Sequence, residues 1–199
     1  MQADEAADLM DQGKEQDRFK RRAAVAIAFC AMLLAITGLG GQNATKEALN
    51  ENILASNFYN FFQAKNMRQT AFILAANDIE LVSLNDPALP ADTKAALRSK
   101  MEDYKKTIAR YESEPDTREG KKELLAQARD HEKKRDHALR QDPYFDYAEA
   151  LLQIAIVLIS VAIVADQRWL SFIGGMLGLT GALLTLNGFM LLVEIPGFG

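Results

Sequence analysis

Three polar side chains recur along one side of an apolar stretch near the C-terminal end of the chain. Asp146, Glu149 and Gln153 stand at positions i, i+3 and i+7, a spacing that places them on one face of a helix. A carboxylate inside an apolar segment is costly and usually faces water or another polar group. The pattern therefore indicates either a proton or cation site or a hydrogen-bonded contact between helices.

Two long apolar stretches, residues 145–165 and 169–193, contain or follow these side chains and are joined by the polar turn Asp166-Gln167-Arg168. Each stretch is long enough to cross a hydrocarbon layer of about 30 Å. Because the connection is so short, the two helices must be antiparallel neighbours. The sequence therefore predicts a transmembrane hairpin.

The hairpin fixes which residues lie level with one another, because residue i stands beside roughly residue 335 − i when the turn is centred near residue 167. Glu149 then lies level with Asn187, and Arg140 lies level with Glu194. We expect a hydrogen bond in the first pair and an ion pair in the second.

A third apolar stretch, residues 23–41, follows a basic cluster. A signal peptide is the alternative for such a segment, but the preceding tail is long and acidic, and no clean Ala-x-Ala site follows. We therefore expect an uncleaved span. Positive charges mark the cytoplasmic side, so residues 1–22 are predicted to form a cytoplasmic tail and the insert and the short tail at 194–199 to be periplasmic. The basic cluster consists of Lys14, Arg18, Lys20, Arg21 and Arg22.

The insert, residues 42–142, carries 17 basic and 17 acidic side chains, evenly mixed, which is not the basic footprint of a nucleic-acid-binding protein. The single cysteine, Cys30, lies in the first span and excludes an intramolecular disulfide. His131 and His137 are six residues apart, which is not metal-ligand spacing on a helix, so we expect solvated or salt-bridged surface histidines. With no catalytic, phosphate-binding, zinc or dinucleotide motif, the sequence predicts no enzyme, metal or cofactor.

The insert is expected to be helical. Gly38, Gly40 and Gly41 are predicted to end the first span, and Asn43 is predicted to cap a new helix that runs to the turn at residues 85–90. A second helix should follow and break at Pro115, and a third should lead into the second span. One helix outward and a kinked pair back form an antiparallel, coiled-coil-like stalk; a compact three-helix bundle is the alternative.

Two stripes stand out on the outgoing helix. An aromatic patch, Phe58, Phe61 and Phe62, lies beside a set of positions at the 4-3 spacing of a coiled-coil seam. Because one partner helix cannot cover both, the aromatic patch is predicted to contact another subunit or the bilayer surface. The predicted seam comprises Ile53, Asn57, Asn60, Ala64, Met67, Ala71, Leu74, Asp78 and Leu81.

The last span contains small residues that allow close helix packing. Gly174, Gly178 and Ala182 form one row, and Gly181 lies on a neighbouring face with Thr185 and Gly188. Such rows serve packing within one chain as well as oligomerisation, and the sequence leaves both open.

Four segments resemble a family of bacterial membrane proteins, domain of unknown function 4337, over nearly the whole chain after residue 18. They are NFYNFFQAK at 57–65, RDH at 135–137 with FDYAEALLQIAI at 145–156, RWL at 168–170, and LNGF at 186–189. Phe62 departs from the family's usual tyrosine, and Pro115 interrupts a helix that is often continuous there. The resemblance implies the topology and a location in a membrane of the cell envelope, but no activity or ligand.

These observations predict an all-α integral membrane protein with three transmembrane helices and a helical extramembrane insert. The function that fits best is a non-enzymatic inner-membrane scaffold or accessory subunit, with membrane lipid and either further copies or a larger complex as partners. The alternative is a small ion channel or transporter with a polar site around Glu149 and Asn187.

Overall fold

The structure is a computed structural model that describes residues 2–85 and 88–195, with side chains from residue 13 to 83 and from 88 onward. These residues form four α-helices and no strand. The helices are α1 (Gln2–Asn85), α2 (Ala91–Glu112), α3 (Lys121–Ala165) and α4 (Arg168–Met190). The predicted turn residues Asp86 and Pro87, and the predicted C-terminal tail beyond residue 195, lie outside the described residues. The all-α prediction is confirmed.

Three of the helices, α1, α3 and α4, are long and apolar enough to cross a membrane. The apolar parts of these helices coincide with the three predicted stretches. Among the described residues, large apolar side chains are exposed on the outer sides of these helices as well as buried between them. The chain as a whole forms two compact units, Met1–Ala48 with Asp136–Gly199, and Leu49–Arg135.

The first unit is a three-helix packing of α1, α3 and α4. The side of α3 that faces the other two helices alternates large and small residues, with Phe145, Leu152 and Ile159 separated by alanines, and all of these are buried. The opposing side of α4 is built from glycines. Small side chains on two helices thus leave room for the large ones on the third, which is how helices approach closely in the absence of water.

The expected break at the end of the first apolar stretch is wrong, because α1 continues without interruption past Gly38, Gly40 and Gly41, and Asn43 caps no helix. The glycines serve close packing instead. A Cβ on Gly40 would stand 2.6 Å from Cε1 of Phe145, and one on Gly41 would stand 3.2 Å from the Phe145 Cβ. Contact with α3 therefore accounts for glycines that helix propensity alone would place at a helix end.

The last helix ends at Met190, three residues before the expected end of the apolar stretch at residue 193. Leu191 adopts the left-handed conformation, and the Asn187 side chain replaces the missing helical bonds. Its amide nitrogen donates to the Val193 carbonyl (2.8 Å), and its oxygen accepts the Val193 N–H (2.9 Å). An asparagine side chain that pairs with the backbone in this way ends a helix.

The second unit is an antiparallel hairpin. The later residues of α1 pack against α2, and its earlier residues pack against the start of α3. Phe72 of α1 packs edge-on against Tyr104 and Tyr111 of α2. About three turns before Phe72 on α1, Phe62 lies beneath Lys121, and about six turns before it Asn52 accepts a hydrogen bond from Arg135. The contacts therefore follow α1 in reverse order, as the predicted arrangement of one helix outward and a kinked pair back requires.

The predicted coiled-coil seam is not the packing face of this hairpin. All nine of its positions, from Ile53 to Leu81, are exposed, and we call this set the outer face of α1. The packing face lies about two residues out of phase and includes three polar side chains, which is why counting apolar residues selected the wrong stripe. The packing face comprises Glu51, Ala55, Phe58, Phe62, Lys65, Gln69, Phe72 and Ala76.

Candidate functional site

The predicted polar site around Asp146, Glu149, Gln153 and Asn187 does not assemble as expected. The Gln153 amide donates to the Glu149 carboxylate at 3.1 Å, so these two residues pair along α3. Asn187 is engaged with the Val193 backbone at the end of α4, and the expected hydrogen bond between it and Glu149 is replaced by these two local ones. Asp146 is exposed.

The register that led to that expectation is nevertheless correct. Arg140 donates to Glu194 at 3.2 Å, which confirms the predicted ion pair. The Tyr144 hydroxyl donates to the Val193 carbonyl at 3.1 Å, so a second contact joins the same two levels of α3 and the chain after α4. The helix end at residue 190, which the sequence did not reveal, is what turns Asn187 away from Glu149.

The small residues of α4 form a groove that receives α3. A Cβ on Gly174 would stand 2.7 Å from Ile159, one on Gly181 would stand 2.9 Å from Leu152, and one on Gly178 would stand 3.0 Å from the Cys30 sulfur. Ala182 is only half-buried and lies at the edge of this groove. Gly174, Gly178 and Gly181 therefore serve packing within the chain.

A buried hydroxyl pair joins α1 to α4, and the sequence analysis did not find it. Thr37 and Thr185 are 2.8 Å apart through their Oγ1 atoms, and Thr37 is completely buried. Each hydroxyl also lies within hydrogen-bond distance of a carbonyl one turn earlier, Leu33 for Thr37 and Gly181 for Thr185. The two hydroxyl groups have two protons for these three contacts. When one hydroxyl donates to the other across the helices, the carbonyl one turn before the donor receives no hydrogen bond from that hydroxyl. The only signal in the sequence is that both residues are threonine inside apolar stretches.

The predicted aromatic patch is divided between the inside and the outside of the second unit. Phe58 stacks on the His131 ring with centroids 5.3 Å apart and an interplanar angle of 11°. The Phe62 ring lies 5.8 Å from the Lys121 ammonium, a cation–π distance. Phe61 alone is exposed. Two of the three aromatic residues predicted to contact a partner therefore pack against α3 instead. Among the residues that the structure describes, none covers the outer face of α1.

His131 is not the surface histidine that the sequence predicts, because its side chain is only 19% exposed. Its Nδ1 lies 2.5 Å from the Glu51 carboxylate, which fulfils the salt-bridged form of the prediction. Tyr59 donates to the neighbouring Glu132 at 3.0 Å, and this hydrogen bond raises the pKa of the Tyr59 hydroxyl. The described residues contain no group of three or more side chains that could hold a metal ion.

A polar network lies where α2 ends, the chain breaks and α3 begins. The buried Gln69 of α1 donates to Glu112 of α2 (3.2 Å) and accepts from Lys121 of α3 (2.7 Å). Lys121 also pairs with Glu112 at 3.2 Å. One amide thus connects the last turn of α2 to the first turn of α3.

A second buried polar residue lies one turn away. Lys65 is 8% exposed, and its ammonium lies 3.5 Å from Glu114 and 3.7 Å from Glu119. Its charge also faces the Tyr111 ring, 5.5 Å from the centroid. A buried charge is tolerated when it is paired, so the carboxylates of the segment between α2 and α3 hold that segment on α1.

Three carboxylates of this region should make the second unit less stable in acid. Hydrogen bonds from Gln69 and Lys121 hold the pKa of Glu112 below its ordinary 4.5, and the Ser113 hydroxyl does the same for Glu123. Lys134 lowers the pKa of Asp130 from its ordinary 3.8. A carboxylate with a lowered folded-state pKa contributes stability above its unfolded pKa and loses it as the pH falls through the folded value.

We therefore expect the thermal midpoint, followed by far-UV circular dichroism, to be flat near pH 7 and to fall below about pH 4.5. Glu123→Gln, which keeps an acceptor for Ser113, should reduce this fall, whereas Glu102→Gln on the exposed side of α2 should leave it unchanged. A midpoint that does not decline between pH 5 and pH 3 would contradict the assignment.

Comparison with known proteins identifies one family. No significant similarity to a curated protein or to a solved structure is found. The family model described as a domain of unknown function, DUF4337, matches residues 19–191, which include the first two apolar stretches, nearly all of the third and the whole hairpin of the second unit. The chain belongs to the DUF4337 family.

Proposed function

We propose that the protein is a non-enzymatic scaffold, anchored in the bacterial inner membrane by α1, α3 and α4, that assembles with further copies of itself. The site of assembly is the outer face of α1 in the second unit. An accessory role in a larger membrane complex, in which the same face binds another subunit, is a variant of this proposal.

The observation that carries the proposal is the lack of charge on an exposed helix. From Asn52 to Asn77, Lys65 and Arg68 are the only charged residues of α1, and Lys65 is buried against Glu114. By contrast, ten of the 22 residues of α2 are charged. A water-exposed helix normally carries charge on its solvent side, so a face of apolar and amide side chains indicates an interface.

The apolar members of the outer face have the spacing of a coiled-coil seam. Met67, Leu74 and Leu81 recur every seven residues and are all more than half exposed. Asn57 and Asn60 stand in the same stripe, and such polar residues at seam positions specify register and oligomer state at some cost in stability. Asp78 is the one charged member of the outer face. From Ile53 to Leu74 a second copy supplies an identical neutral stripe, whereas a strongly charged partner would find no counter-charge there.

The proposed orientation follows from charge. The N-terminal tail with its basic cluster would be cytoplasmic and the second unit periplasmic, because positive charge close to a span is retained on the cytoplasmic side. An ion channel around Glu149 and Asn187 remains the alternative function, and no specific contact favours it, since the two side chains bond to Gln153 and Val193 instead.

Charge placed on the outer face should dissociate the assembly. We expect the purified wild-type protein in mild detergent to have an oligomeric mass by light scattering. Met67→Glu with Leu74→Glu should reduce it to the monomer, because two carboxylates per copy would be buried in the interface without partners. The matched control is Ala95→Glu with Ala96→Glu, which adds the same charge to exposed positions of α2 and should leave the mass unchanged.

Because Met67 and Leu74 are exposed within the chain, their replacement should leave the helices intact. Far-UV circular dichroism of each variant checks this. A wild-type protein that is strictly monomeric and co-purifies with no other protein would overturn the scaffold proposal. A dimer that both double variants leave intact would place the interface elsewhere and overturn the role of the outer face.

A further inference from the structure

The segment of α1 that precedes its apolar part carries both acidic and basic side chains. On the side that faces the rest of the first unit, Glu15 accepts a hydrogen bond from Arg168 at 3.2 Å, and Gln16 donates to Asp166 at 3.0 Å. The Phe19 ring lies 5.9 Å from the Arg168 guanidinium. The turn between α3 and α4 thus engages the acidic and amide groups of this side.

Three exposed arginines lie away from the buried side of this segment. Arg18, Arg21 and Arg22 are exposed, and at about 100° per residue they lie roughly 100–160° around the helix from the buried Ala23. Residues three and four apart are neighbours on a helix surface, so the three guanidinium groups can converge on one anion. Two carboxylates compete for this cluster, Asp17 one turn before Arg21 and Glu15 one turn before Arg18, and Lys14 and Lys20 flank it.

The same side of α1 continues as an exposed apolar track. At 1.5 Å per residue the track extends for about 21 Å beyond the arginines, which exceeds one leaflet of a hydrocarbon layer about 30 Å thick. No other part of the described chain covers these side chains. The track consists of Val25, Phe29, Met32, Ile36 and Leu39.

We propose that this side of α1 binds an anionic phospholipid, with the phosphate at Arg18, Arg21 and Arg22 and an acyl chain along the apolar track. Arginine suits phosphate because its planar group donates two parallel hydrogen bonds. A zwitterionic lipid carries its own cation beside the phosphate and gains less from three arginines. The site rests on the membrane anchoring in the proposed function, but it does not require self-association.

The test uses the full-length protein in detergent and measures lipid binding by native mass spectrometry, with phosphatidylglycerol and phosphatidylcholine of identical acyl chains as probes. We expect phosphatidylglycerol to bind at least tenfold more tightly. Replacing all three arginines, by Arg18→Gln, Arg21→Gln and Arg22→Gln, should weaken its binding by about 100-fold at low salt, from roughly fivefold per arginine.

The control removes three exposed positive charges from the second unit, by Lys105→Gln, Lys122→Gln and Lys133→Gln, and should keep the preference for phosphatidylglycerol. Equal binding of the two lipids, or an equal loss in the control, would overturn the site. If inorganic phosphate displaced phosphatidylglycerol at a concentration equal to that of the lipid, the site would bind phosphate without an acyl chain. This result would also overturn the proposed lipid site. A protein that is monomeric, co-purifies with no other protein and retains the lipid preference would contradict the scaffold proposal alone.

Discussion

Replacing Gly174 by leucine is expected to lower the thermal midpoint of the protein in detergent by about 6–12 °C. A Cβ at this position would stand 2.7 Å from Cγ1 of Ile159, 3.1 Å from the Ala155 carbonyl oxygen and 3.3 Å from the Ile159 nitrogen. Two of these atoms belong to the backbone of α3 and cannot rotate away. The larger side chain must therefore push α4 from α3, a form of overpacking that costs about 3 kcal/mol.

The neighbouring glycine provides the matched control. Gly175 is exposed, and a Cβ there would have no heavy atom within 4 Å. Gly175→Leu adds the same side chain to the same helix without a clash, and it replaces a poor helix former by a good one. We expect its midpoint to equal or exceed that of the wild type.

Cys30 supplies the readout, because it is the single cysteine and is 6% exposed. A fluorogenic maleimide reacts with it only when the packing of α1, α3 and α4 opens, so labelling during heating follows the unfolding of the first unit. Equal midpoints for Gly174→Leu and Gly175→Leu would show that the groove on α4 does not hold α3.

The sequence predicts the first unit better than the second because different constraints fix them. In the first unit, a three-residue connection between two apolar stretches leaves only an antiparallel hairpin, so the ion pair of Arg140 and Glu194 follows from counting. The glycines at 40 and 41 do not end the helix because their effect depends on Phe145, which is distant in sequence. Propensity is a weak prior that such tertiary contacts override.

In the second unit the error is one of helix face. Apolar periodicity selects the outer face of α1, whereas the packing face contains Glu51, Lys65 and Gln69. These residues can be buried only because His131, Glu114 and Lys121 approach them from α3 and from the segment before it. No pattern within the sequence of α1 predicts those partners. The break near Pro115 could be predicted because proline acts locally.

Gln69→Leu is expected to destabilise the second unit by about 2 kcal/mol. The substitution removes the acceptor for the Lys121 ammonium and a donor to Glu112, and leucine offers neither. Hydrogen bonds to charged groups contribute about 1.5–3 kcal/mol, and a buried group that loses its partner costs about 1–3 kcal/mol. Because Lys121 keeps its ion pair with Glu112, the loss should stay near the middle of that range.

Gln63→Leu is the control, since Gln63 is exposed on the same helix, and the change should alter stability by less than about 0.5 kcal/mol. The readout is the rate at which trypsin cleaves after Arg118, which is exposed in the segment between α2 and α3. Gln69 connects the two helices on either side of that segment, so its loss should raise the rate, whereas Gln63→Leu should match the wild type. If both variants were cleaved equally fast, the amide of Gln69 would not join α2 to α3, and Lys65 with its two carboxylates would have to hold the segment on α1 alone.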